Sequence, residues 1–304
     1  MLAFITTLRH PQNSADYGRV ESLLQDTLAS ISRQTSDEYV VIIVGNRRPA
    51  FGLPERAHFV EVDFAPPSAV KGPQTGRASV IWDKGTKTAV GLIAAREYEP
   101  DYVMPFDADD FVHRDIAGFT DSHRGGLGWV VTRGWVYSRA RNAYALRRKF
   151  FRICGTSFIV PFDAYEVPTD LTVSATQQEI AAAFGERLEN LLEHGYAFDW
   201  WREHGRRLDP LPFAGAVYQV DTGENHSGNM LVGPALPYAS HLLRDFGIRP
   251  SKGRAATVWA AFGAPAFKPD PAYKLQLPSL PGAKRRVSYL ENYSPPTDSA
   301  IGSP

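Results

Sequence analysis

The first 110 residues alternate between continuous apolar runs and segments whose apolar residues recur at helical spacing. Residues 2–8 and 39–44 are apolar, β-branched runs, and residues 20–31 between them have a helical period. Strands buried on both faces and joined by a helix are typical of parallel sheets. Residues 59–64 and 102–106 predict a third and a fourth strand, with a helix over residues 86–97 between them. A polar loop is predicted from residue 66 to 86, and loops of this length usually carry function.

The pattern changes after residue 110. Residues 129–137 and 153–160 predict strands that join the sheet in mixed or antiparallel fashion. Ser174 and Gln177 predict a capping box for a helix that runs through Leu192 and ends at Gly195, and a second helix is expected over residues 198–204. Beyond residue 264 the chain is rich in proline, which indicates an extended tail.

These elements predict one α/β fold, a mostly parallel, Rossmann-like sheet flanked by helices with mixed strands added in the second half. Residues 1–115 form the first β/α half, residues 116–264 the second half of the same domain, and residues 265–304 the tail. The chain of 304 residues is long enough to bury a large core without disulfides.

Composition excludes several classes of protein. Lys and Arg total 33 and Asp and Glu total 33, so the chain lacks the net positive charge of a nucleic-acid binder. A single cysteine, Cys154, is expected to be a small core residue and agrees with a reducing cytoplasm. The first residues indicate a strand rather than a signal peptide, and no stretch approaches the ~20 apolar residues of a membrane span. We expect a cytoplasmic protein, with peripheral membrane contact left open.

An acidic cluster, Asp107-Ala108-Asp109-Asp110, follows the fourth predicted strand directly. Ligands of open α/β sheets bind at the carboxyl ends of the strands. Carboxylates are hard oxygen ligands that suit Mg²⁺ or Mn²⁺, and such an ion keeps positions open for diphosphate oxygens. The alternative is a solvated acidic turn that caps the next helix. The position of the cluster favours a site for a metal-bound nucleotide.

Over residues 2–226 the order of these parts resembles the GT-A glycosyltransferases, and within them the inverting family 2. The parts are a first strand with a short turn, an amphipathic helix before Gln34-Thr35, a second strand, Asp83-Lys84-Gly85-Thr86-Lys87, and the acidic cluster, which matches the DxD metal motif of that family. The resemblance implies transfer of a sugar from a nucleoside-diphosphate donor, such as a UDP- or GDP-sugar, to an acceptor hydroxyl, with inversion. The acceptor would be a glycan, a lipid-linked molecule or a small molecule.

The resemblance also implies roles for individual residues. Asp107 and Asp109 would hold Mn²⁺ or Mg²⁺, and His226 is the candidate for a third ligand, unless it is a loop histidine bonded to Asp221 or Glu224. The residues expected to contact the donor nucleotide are Thr6, Leu8, Arg9, Asn46, Asp83, Lys84, Lys87, Asp107 and Ala108. Asn46 stands where the family usually has an acidic residue that binds the base.

Inverting transfer needs a general base that takes the proton of the acceptor hydroxyl. The resembling family supplies it from an acidic pair at the start of a helix, a place that residues 193–202 cover here without the usual pair. Asp199 is the first candidate, followed by Glu193 and His194. The alternative for Asp199 is a carboxylate that only stabilises the helix N-terminus.

Other interpretations remain open at this point. A basic, aromatic stretch over residues 139–152 suits an anionic acceptor, a lipid phosphate or a sugar ring, and equally a solvated strand pair. Trp200 and Trp201 are acceptor-stacking or core residues. The acidic cluster also fits a nucleotidyltransferase or a phosphohydrolase with an aspartate nucleophile. A non-enzymatic module that binds anionic glycans or RNA through residues 139–152 is the third alternative.

Overall fold

The computed structural model describes residues 1–73, 75–224, 226, 228–267, 288–291 and 293–295. Within them the strands are β1 (Leu2–Thr7), β2 (Tyr39–Gly45), β3 (Ala57–Glu61), β4 (Tyr102–Pro105), β5 (Phe111–Val112), β6 (Trp129–Val130), β7 (Arg133–Ser138), β8 (Ala143–Arg148), β9 (Phe158–Pro161), β10 (Asp209–Pro210), β11 (Ala216–Val220) and β12 (Leu236–Pro237). The α-helices are α1 (Tyr17–Ile31), α2 (Arg77–Ala95), α3 (Ile116–Ser122), α4 (Gln177–Phe184), α5 (Ala197–Glu203), α6 (Ser240–Phe246) and α7 (Arg254–Phe262).

The larger sheet has the strand order β10-β6-β9-β4-β1-β2-β3. Its centre is parallel: Leu2 of β1 lies opposite Tyr39 of β2 on one side and Tyr102 of β4 on the other. β9 joins β4 in antiparallel fashion. The carboxyl ends of β1 and β4 therefore meet at one edge of the sheet, where the residues after each strand come together. The predicted α/β fold class, with helices flanking the sheet and mixed strands added, is confirmed.

A second sheet holds the strands of the second half in the order β12-β8-β7-β11-β5. β7 and β8 form an antiparallel pair, and β11 runs parallel to β7. β5 follows the acidic cluster directly and pairs with β11. The short span between β4 and β5 thus connects the two sheets, and the acidic cluster lies at this connection.

Helix α2 packs closely on the larger sheet. A Cβ on Gly91 would lie 2.4 Å from Cγ2 of Ile5 in β1, so only glycine allows this approach of the helix to the sheet. On the first turns of the same helix, Lys84 and Lys87 lie beside the ends of β4 and β1. Because the helix is fixed to β1 by apolar packing, the positions of both lysine side chains are set by the core.

Several predicted boundaries are wrong. Of the strand expected over residues 153–160, only the end belongs to β9, which begins at Phe158. The helix expected from residue 86 begins at Arg77, so Asp83, Lys84 and Lys87 lie within α2 and not in the loop before it. The strand expected over residues 129–137 is two strands in different sheets, β6 and β7. The capping box is formed by Thr176 and Glu179, and α4 ends at Gly185, with a separate π-helical turn at Leu188–Leu192.

The remaining predictions of local structure have mixed outcomes. α5 matches the helix expected over residues 198–204. Of the tail predicted over residues 265–304, most lies outside the described residues. Its described part at 288–291 and 293–295 packs on α2 and on the π-helical turn: the rings of Trp82 and Tyr293 are 5.8 Å apart, and Ser288 donates a hydrogen bond to Glu189 of that turn. In the described part of the chain, no helix combines the length and the hydropathy that a membrane crossing requires.

Candidate active site

The three aspartates after β4 have different surroundings. Asp110 is fully buried and accepts hydrogen bonds from the Thr156 hydroxyl (2.6 Å), the Cys154 thiol (3.0 Å) and the backbone N–H of Gln219 (3.2 Å). Burial and the two neighbouring aspartates raise the pKa of Asp110 well above its usual value. Asp110 therefore anchors the acidic turn to β9 and β11, and Asp107 and Asp109 are left partly exposed in the cleft.

Asp107 is positioned by groups on α2 and on the segment that precedes β9. Its backbone N–H donates to the Thr156 hydroxyl at 3.0 Å, one carboxylate oxygen accepts from Nζ of Lys84 at 2.5 Å, and the other accepts from the backbone N–H of Gly155 at 3.3 Å. Burial opposes ionisation, but the charges of Lys84 and His194 and the hydrogen bonds prevail and lower the pKa of Asp107 to about 2. Asp107 is thus an anion at neutral pH.

Asp109 has the opposite electrostatic balance. Burial and the negative charge of Asp107 raise the pKa of Asp109 to about 7, although Arg9 and Lys84 act in the other direction. Two carboxylates that share a site repel each other, and ionisation of the second one is favoured when a cation binds between them. The pair offers hard oxygen atoms, the donor type that Mg²⁺ and Mn²⁺ prefer. The donor chemistry of the two carboxylates therefore fits a divalent cation, although the cluster of converging ligand atoms among the described residues includes Asp107 but neither Asp109 nor His226.

Cys154 is the third member of a cluster in which ligand atoms of Asp107, Asp110 and Cys154 lie within 4.8 Å of one another. Burial and the neighbouring aspartates raise the pKa of the Cys154 thiol well above its usual value. The thiol is therefore neutral and donates a hydrogen bond to Asp110. A metal ligand must be the thiolate, so the role of Cys154 here is to support Asp110.

His194 lies beside Asp107, and Glu193 lies next to His194 on the side of Arg77. Nδ1 of His194 is 3.4 Å from Nζ of Lys84 and 3.7 Å from a carboxylate oxygen of Glu193. Glu193 is buried, forms an ion pair with Arg77 at 3.0 Å and accepts from the backbone N–H of Gly195 at 2.9 Å. Burial, together with Lys84 and Arg77, lowers the pKa of His194. The imidazole is therefore neutral at pH 7.

Gly155 makes the approach of these groups possible. A Cβ at this position would lie 2.8 Å from Oδ2 of Asp107 and 2.9 Å from Nδ1 of His194. Asp107, His194, Lys84 and Gly155 share the polar end of one cavity, and the rest of its wall is mainly apolar, with Ile5, Phe106, Phe158, Tyr165, Leu191, Leu192 and Trp201. Such a cavity strengthens the electrostatic interactions of the charged groups at its polar end.

Arg9 follows β1 and faces the same cleft. Its guanidinium group donates to Glu224 at 3.2 Å and to the carbonyl of Asn13 at 3.2 Å, and its charge acts on Asp109. Glu224 is buried and also accepts from the backbone N–H groups of Ala15 and Asp16. Glu224 thus joins the ends of β1 and β11 and fixes the orientation of Arg9.

His226 lies near the cationic side of the cleft. Burial and the charges of Arg77, Arg9 and Lys84 lower the pKa of its imidazole, while a hydrogen bond with the carbonyl of Pro73 raises it. The ring is therefore neutral at pH 7, the form that binds metal ions. Its neighbours at 225 and 227 lie outside the described residues.

Three of the residues expected around the donor nucleotide are buried: Thr6, Leu8 and Lys87. Thr6 is buried, and its hydroxyl has no hydrogen-bond partner among the described residues. Leu8 and Lys87 are also buried, and Nζ of Lys87 donates to the carbonyl of Leu8 and to Asp83, both at 2.9 Å. The charge of Lys87 is therefore compensated within the protein, and in this conformation the side chain does not reach the cleft.

Asn46 and Ala108 complete this set. The side-chain amide of Asn46 donates to the carbonyls of Val62 (3.1 Å) and Phe64 (2.8 Å), which fixes the segment after β3 to the end of β2. Its amide oxygen is buried and has no partner among the described residues. Ala108 accepts a hydrogen bond at its carbonyl from the Thr27 hydroxyl of α1 at 3.0 Å.

Asp199 and the two tryptophans lie on α5. The Asp199 carboxylate accepts from both terminal nitrogens of Arg152, at 2.7 and 3.1 Å, and forms an ion pair with Arg202 at 3.1 Å. Trp200 and Trp201 are buried, as expected for core residues. Trp200 stacks on His204 with ring centroids 3.8 Å apart.

The basic stretch of residues 139–152 does not form one continuous cationic surface. Arg139 forms an ion pair with Asp26 at 2.5 Å, and Arg152 is paired with Asp199. Arg141 is buried, and its guanidinium donates to backbone carbonyls. Arg147, Arg148 and Lys149 are exposed at the end of β8. The stretch is thus mainly a strand pair with cations that join other elements.

Three residues around the site were not found from the sequence: Arg77, Gly155 and Thr156. The bridging role of Glu224 was also not found. Arg77 and Gly155 are distant from the acidic cluster in sequence and reach it only through the packing of α2 and β9. The only local signal for Gly155 in the sequence is its position directly after the lone cysteine.

No protein-family model matches the chain, and no curated protein matches it. Among solved structures, TarS from S. aureus is similar over 72% of this chain and 36% of its own, with 12% identity and a TM-score of 0.35. A protein assigned provisionally as a nucleotide-diphospho-sugar transferase, from Desulfovibrio desulfuricans G20, is similar over 72% of this chain and 80% of its own, with 12% identity and a TM-score of 0.31. The chain thus spans about a third of the length of TarS.

Proposed function

We propose that the chain is a metal-dependent glycosyltransferase that moves a sugar from a nucleoside-diphosphate-sugar to an acceptor hydroxyl with inversion. The observation that carries the proposal is the pair Asp107 and Asp109 at the carboxyl end of β4, with Arg9 and Lys84 beside it. Carboxylates for a cation and cations for phosphates, side by side at the edge of a mostly parallel sheet, fit a metal-bound diphosphate. Cys154 as the single cysteine agrees with a cytoplasmic location.

Asp107 and Asp109 are the proposed ligands of Mn²⁺ or Mg²⁺, with His226 as the third. When bound, such an ion neutralises the charge that develops on the departing diphosphate. Lys84 contributes to the same task. Its ammonium group is held at the cleft by Asp107, so its charge is in place before the donor arrives and needs no reorganisation.

His194 is the residue that we propose as the general base. Its imidazole is neutral, so it has an electron pair for the proton of the acceptor hydroxyl. Glu193 and Asp107, both anionic, favour the protonated ring once the proton has moved. Glu193 is a positioning residue, held by Arg77 and Gly195 next to the ring. Asp199, the first candidate from the sequence, is instead proposed to hold Arg152.

The donor nucleotide is proposed to lie along the end of β1. The Thr6 hydroxyl and the Asn46 amide oxygen are buried and have no hydrogen-bond partner among the described residues, so we propose that both turn toward polar groups of the nucleotide when it binds. Arg9 is oriented by Glu224 toward Asp109 and is suited to the phosphates. Lys87, which is paired with Asp83, donates a hydrogen bond to the Leu8 carbonyl and so stabilises the chain at the end of β1.

The experiment that tests the function is a donor screen with purified full-length chain. UDP- and GDP-sugars are supplied with Mn²⁺, with Mg²⁺ or with a chelator, and released nucleoside diphosphate is measured with and without candidate glycan acceptors. We expect release with one donor class, only with the metal, and a loss of about 10³-fold for Asp109→Asn. Asp170→Asn, which changes an exposed loop carboxylate, is the matched control.

Two results would contradict the proposal. Metal-independent release that Asp109→Asn leaves unchanged would remove the role of the carboxylate pair. Phosphate release from simple phosphomonoesters, with no nucleoside diphosphate formed from any donor, would favour the hydrolase with an aspartate nucleophile. The position of Asp107 after β4, the fourth strand of the sheet in sequence order, is the feature that disfavours that alternative.

A further inference from the structure

Helix α7 turns large apolar side chains toward solvent. Val258, Trp259 and Phe262 have exposed fractions of 52%, 62% and 52%, and Phe267 after the helix is 63% exposed. Soluble proteins expose single apolar residues commonly, but several large ones on one short helix mark an interaction surface. We call the apolar residues Val258, Trp259, Phe262 and Phe267, together with the cations Arg249, Lys252 and Arg254, the α7 surface.

The inner side of the helix is fixed to the protein. The buried guanidinium of Arg141 donates to the carbonyls of Ala260 and Ala261, both at 3.0 Å, and the side-chain amide of Asn142 donates to the Thr257 hydroxyl at 2.7 Å. Ala235 and Ala261 are joined by a backbone hydrogen bond. The helix is therefore held in one orientation, with its apolar residues on the outside.

The charge around the helix has one sign. From Gly247 to Phe267 the sequence contains Arg249, Lys252 and Arg254 and no carboxylate. None of these three cations forms an ion pair with a carboxylate among the described residues. Lys252 and Arg254 also stand at the N-terminus of α7, which has no side-chain cap, and positive charge is unfavourable at that end of a helix. An anionic partner would relieve this imbalance.

We propose that the α7 surface docks on an anionic lipid bilayer. An indole and two phenyl rings together with Lys and Arg side chains that have no ion pair among the described residues are the combination that inserts shallowly into a headgroup region while the cations contact lipid phosphates. A protein partner would need carboxylates opposite the cations and a complementary apolar pocket. An anionic bilayer supplies negative charge and an apolar interior over any area. The inference concerns a surface that the proposed sugar transfer does not use, so it stands independently of that function.

The test is sedimentation of the full chain with vesicles of phosphatidylcholine, with and without added phosphatidylglycerol. We expect binding that requires the anionic lipid and weakens as salt is raised. Trp259→Ala/Phe262→Ala should weaken binding at least about tenfold, because the interfacial contact of two rings is lost. Lys252→Gln/Arg254→Gln should weaken it about thirtyfold, from about fivefold per cation.

The controls remove an exposed apolar residue and two exposed cations elsewhere on the protein. Leu127→Ala removes an apolar side chain that is 59% exposed, and Lys71→Gln/Arg207→Gln removes two exposed cations; both should bind as the parent chain does. Thermal unfolding shows whether each variant is folded. If Trp259→Ala/Phe262→Ala does not fold, Lys252→Gln/Arg254→Gln still tests the proposal.

Three outcomes would overturn the proposal. The first is no binding to anionic vesicles. The second is binding that both α7 variants retain. The third is a change in molar mass by light scattering, from a dimer of the parent chain to a monomer of Trp259→Ala/Phe262→Ala, without vesicle binding, which would assign the surface to a second copy of the chain.

Discussion

Helix α2 contributes the lysines of two lysine–aspartate pairs one turn apart, and the two pairs differ in their surroundings. Lys87 and Asp83 lie on the helix itself, with side chains 0% and 9% exposed, and Lys87 also donates to the carbonyl of Leu8. Lys84 reaches across to Asp107 at the end of β4, and both side chains are about one quarter exposed. The same pair of residue types therefore forms a closed contact in one place and an open one in the other.

The difference shows how burial separates structural from functional charges. In the closed pair the atoms that carry charge are satisfied within the protein, and the pair joins α2 to β1. In the open pair Asp107 lies next to Asp109, whose pKa is raised to about 7 because the local positive charge does not offset burial and repulsion. We infer that the closed pair holds the wall of the site and that the open pair binds the reacting groups.

The largest expected effect is on stability, at the closed pair. Lys87→Met should lower the free energy of unfolding by about 3–5 kcal/mol, because the buried carboxylate of Asp83 loses its partner. Denaturant titration measures the change. The double variant Lys87→Met/Asp83→Leu should recover much of the loss, since it leaves no unpaired charge. A single variant as stable as the parent would mean that the pair is not structural.

The next effect is on turnover, at the open pair. Lys84→Met should lower kcat for donor cleavage by about 10²–10³-fold, the usual loss when one charge-stabilising donor is removed from an active site. Its free energy of unfolding should change less than that of Lys87→Met, because its partner remains in contact with solvent. Equal effects of the two variants on stability and on kcat would break the distinction between the pairs.

A smaller effect follows from the proton on Asp109. Its folded-state pKa of about 7 lies above its usual value of 3.8, so the folded protein binds more protons than the unfolded chain between these pH values. The contribution of Asp109 to stability is therefore greatest below about pH 4 and is lost as pH rises to about 7. Asp109→Asn should be more stable than the parent by about 2 kcal/mol at pH 8, roughly half of what the full shift would give because the side chain is partly open to solvent, and by little at pH 4, measured without divalent metal.

The smallest effect is expected at Asp199. Its carboxylate is bound by Arg152 and Arg202, and both arginines are substantially exposed. Ion pairs of this kind contribute about 0–1 kcal/mol, so Asp199→Asn should change stability by no more than this and kcat by less than about threefold. His194→Gln, in contrast, should lower kcat by about 10²-fold or more as the loss of the base. A reversed ranking of these two variants would restore Asp199 as the base.

The sequence predicted the parallel centre of the fold because strands buried on both faces leave continuous apolar runs, as β1 and β2 do. It also placed Asp107 directly after the fourth strand, and the structure adds that this strand lies beside β1. The start of α2 could not be found, because the apolar periodicity is weak before Thr86 and Gly76 provides no side-chain cap. The split of residues 129–137 between two sheets was missed, although Thr132, Arg133 and Gly134 interrupt the apolar run where it divides.

Within the site, the sequence indicated residue types but not their partners. Asp107, Asp109 and Asp110 look alike in sequence, and only the structure shows Thr156, Cys154 and Gln219 around Asp110. Lys84 and Lys87 are likewise equivalent in sequence, and their difference depends on the three-residue step around α2. Pairings between distant elements, such as Arg77 with Glu193, arise from packing and cannot be predicted from spacing alone.

Calorimetric titration of UDP and of GDP into the full chain, with and without Mn²⁺, at pH 8 and pH 6, tests the central claim most directly. The account predicts binding of one nucleotide that requires Mn²⁺, is about tenfold weaker at pH 6 because Asp109 must lose its proton, and is lost in Asp109→Asn. Binding that is equally strong without Mn²⁺, or unchanged in Asp109→Asn, would contradict it.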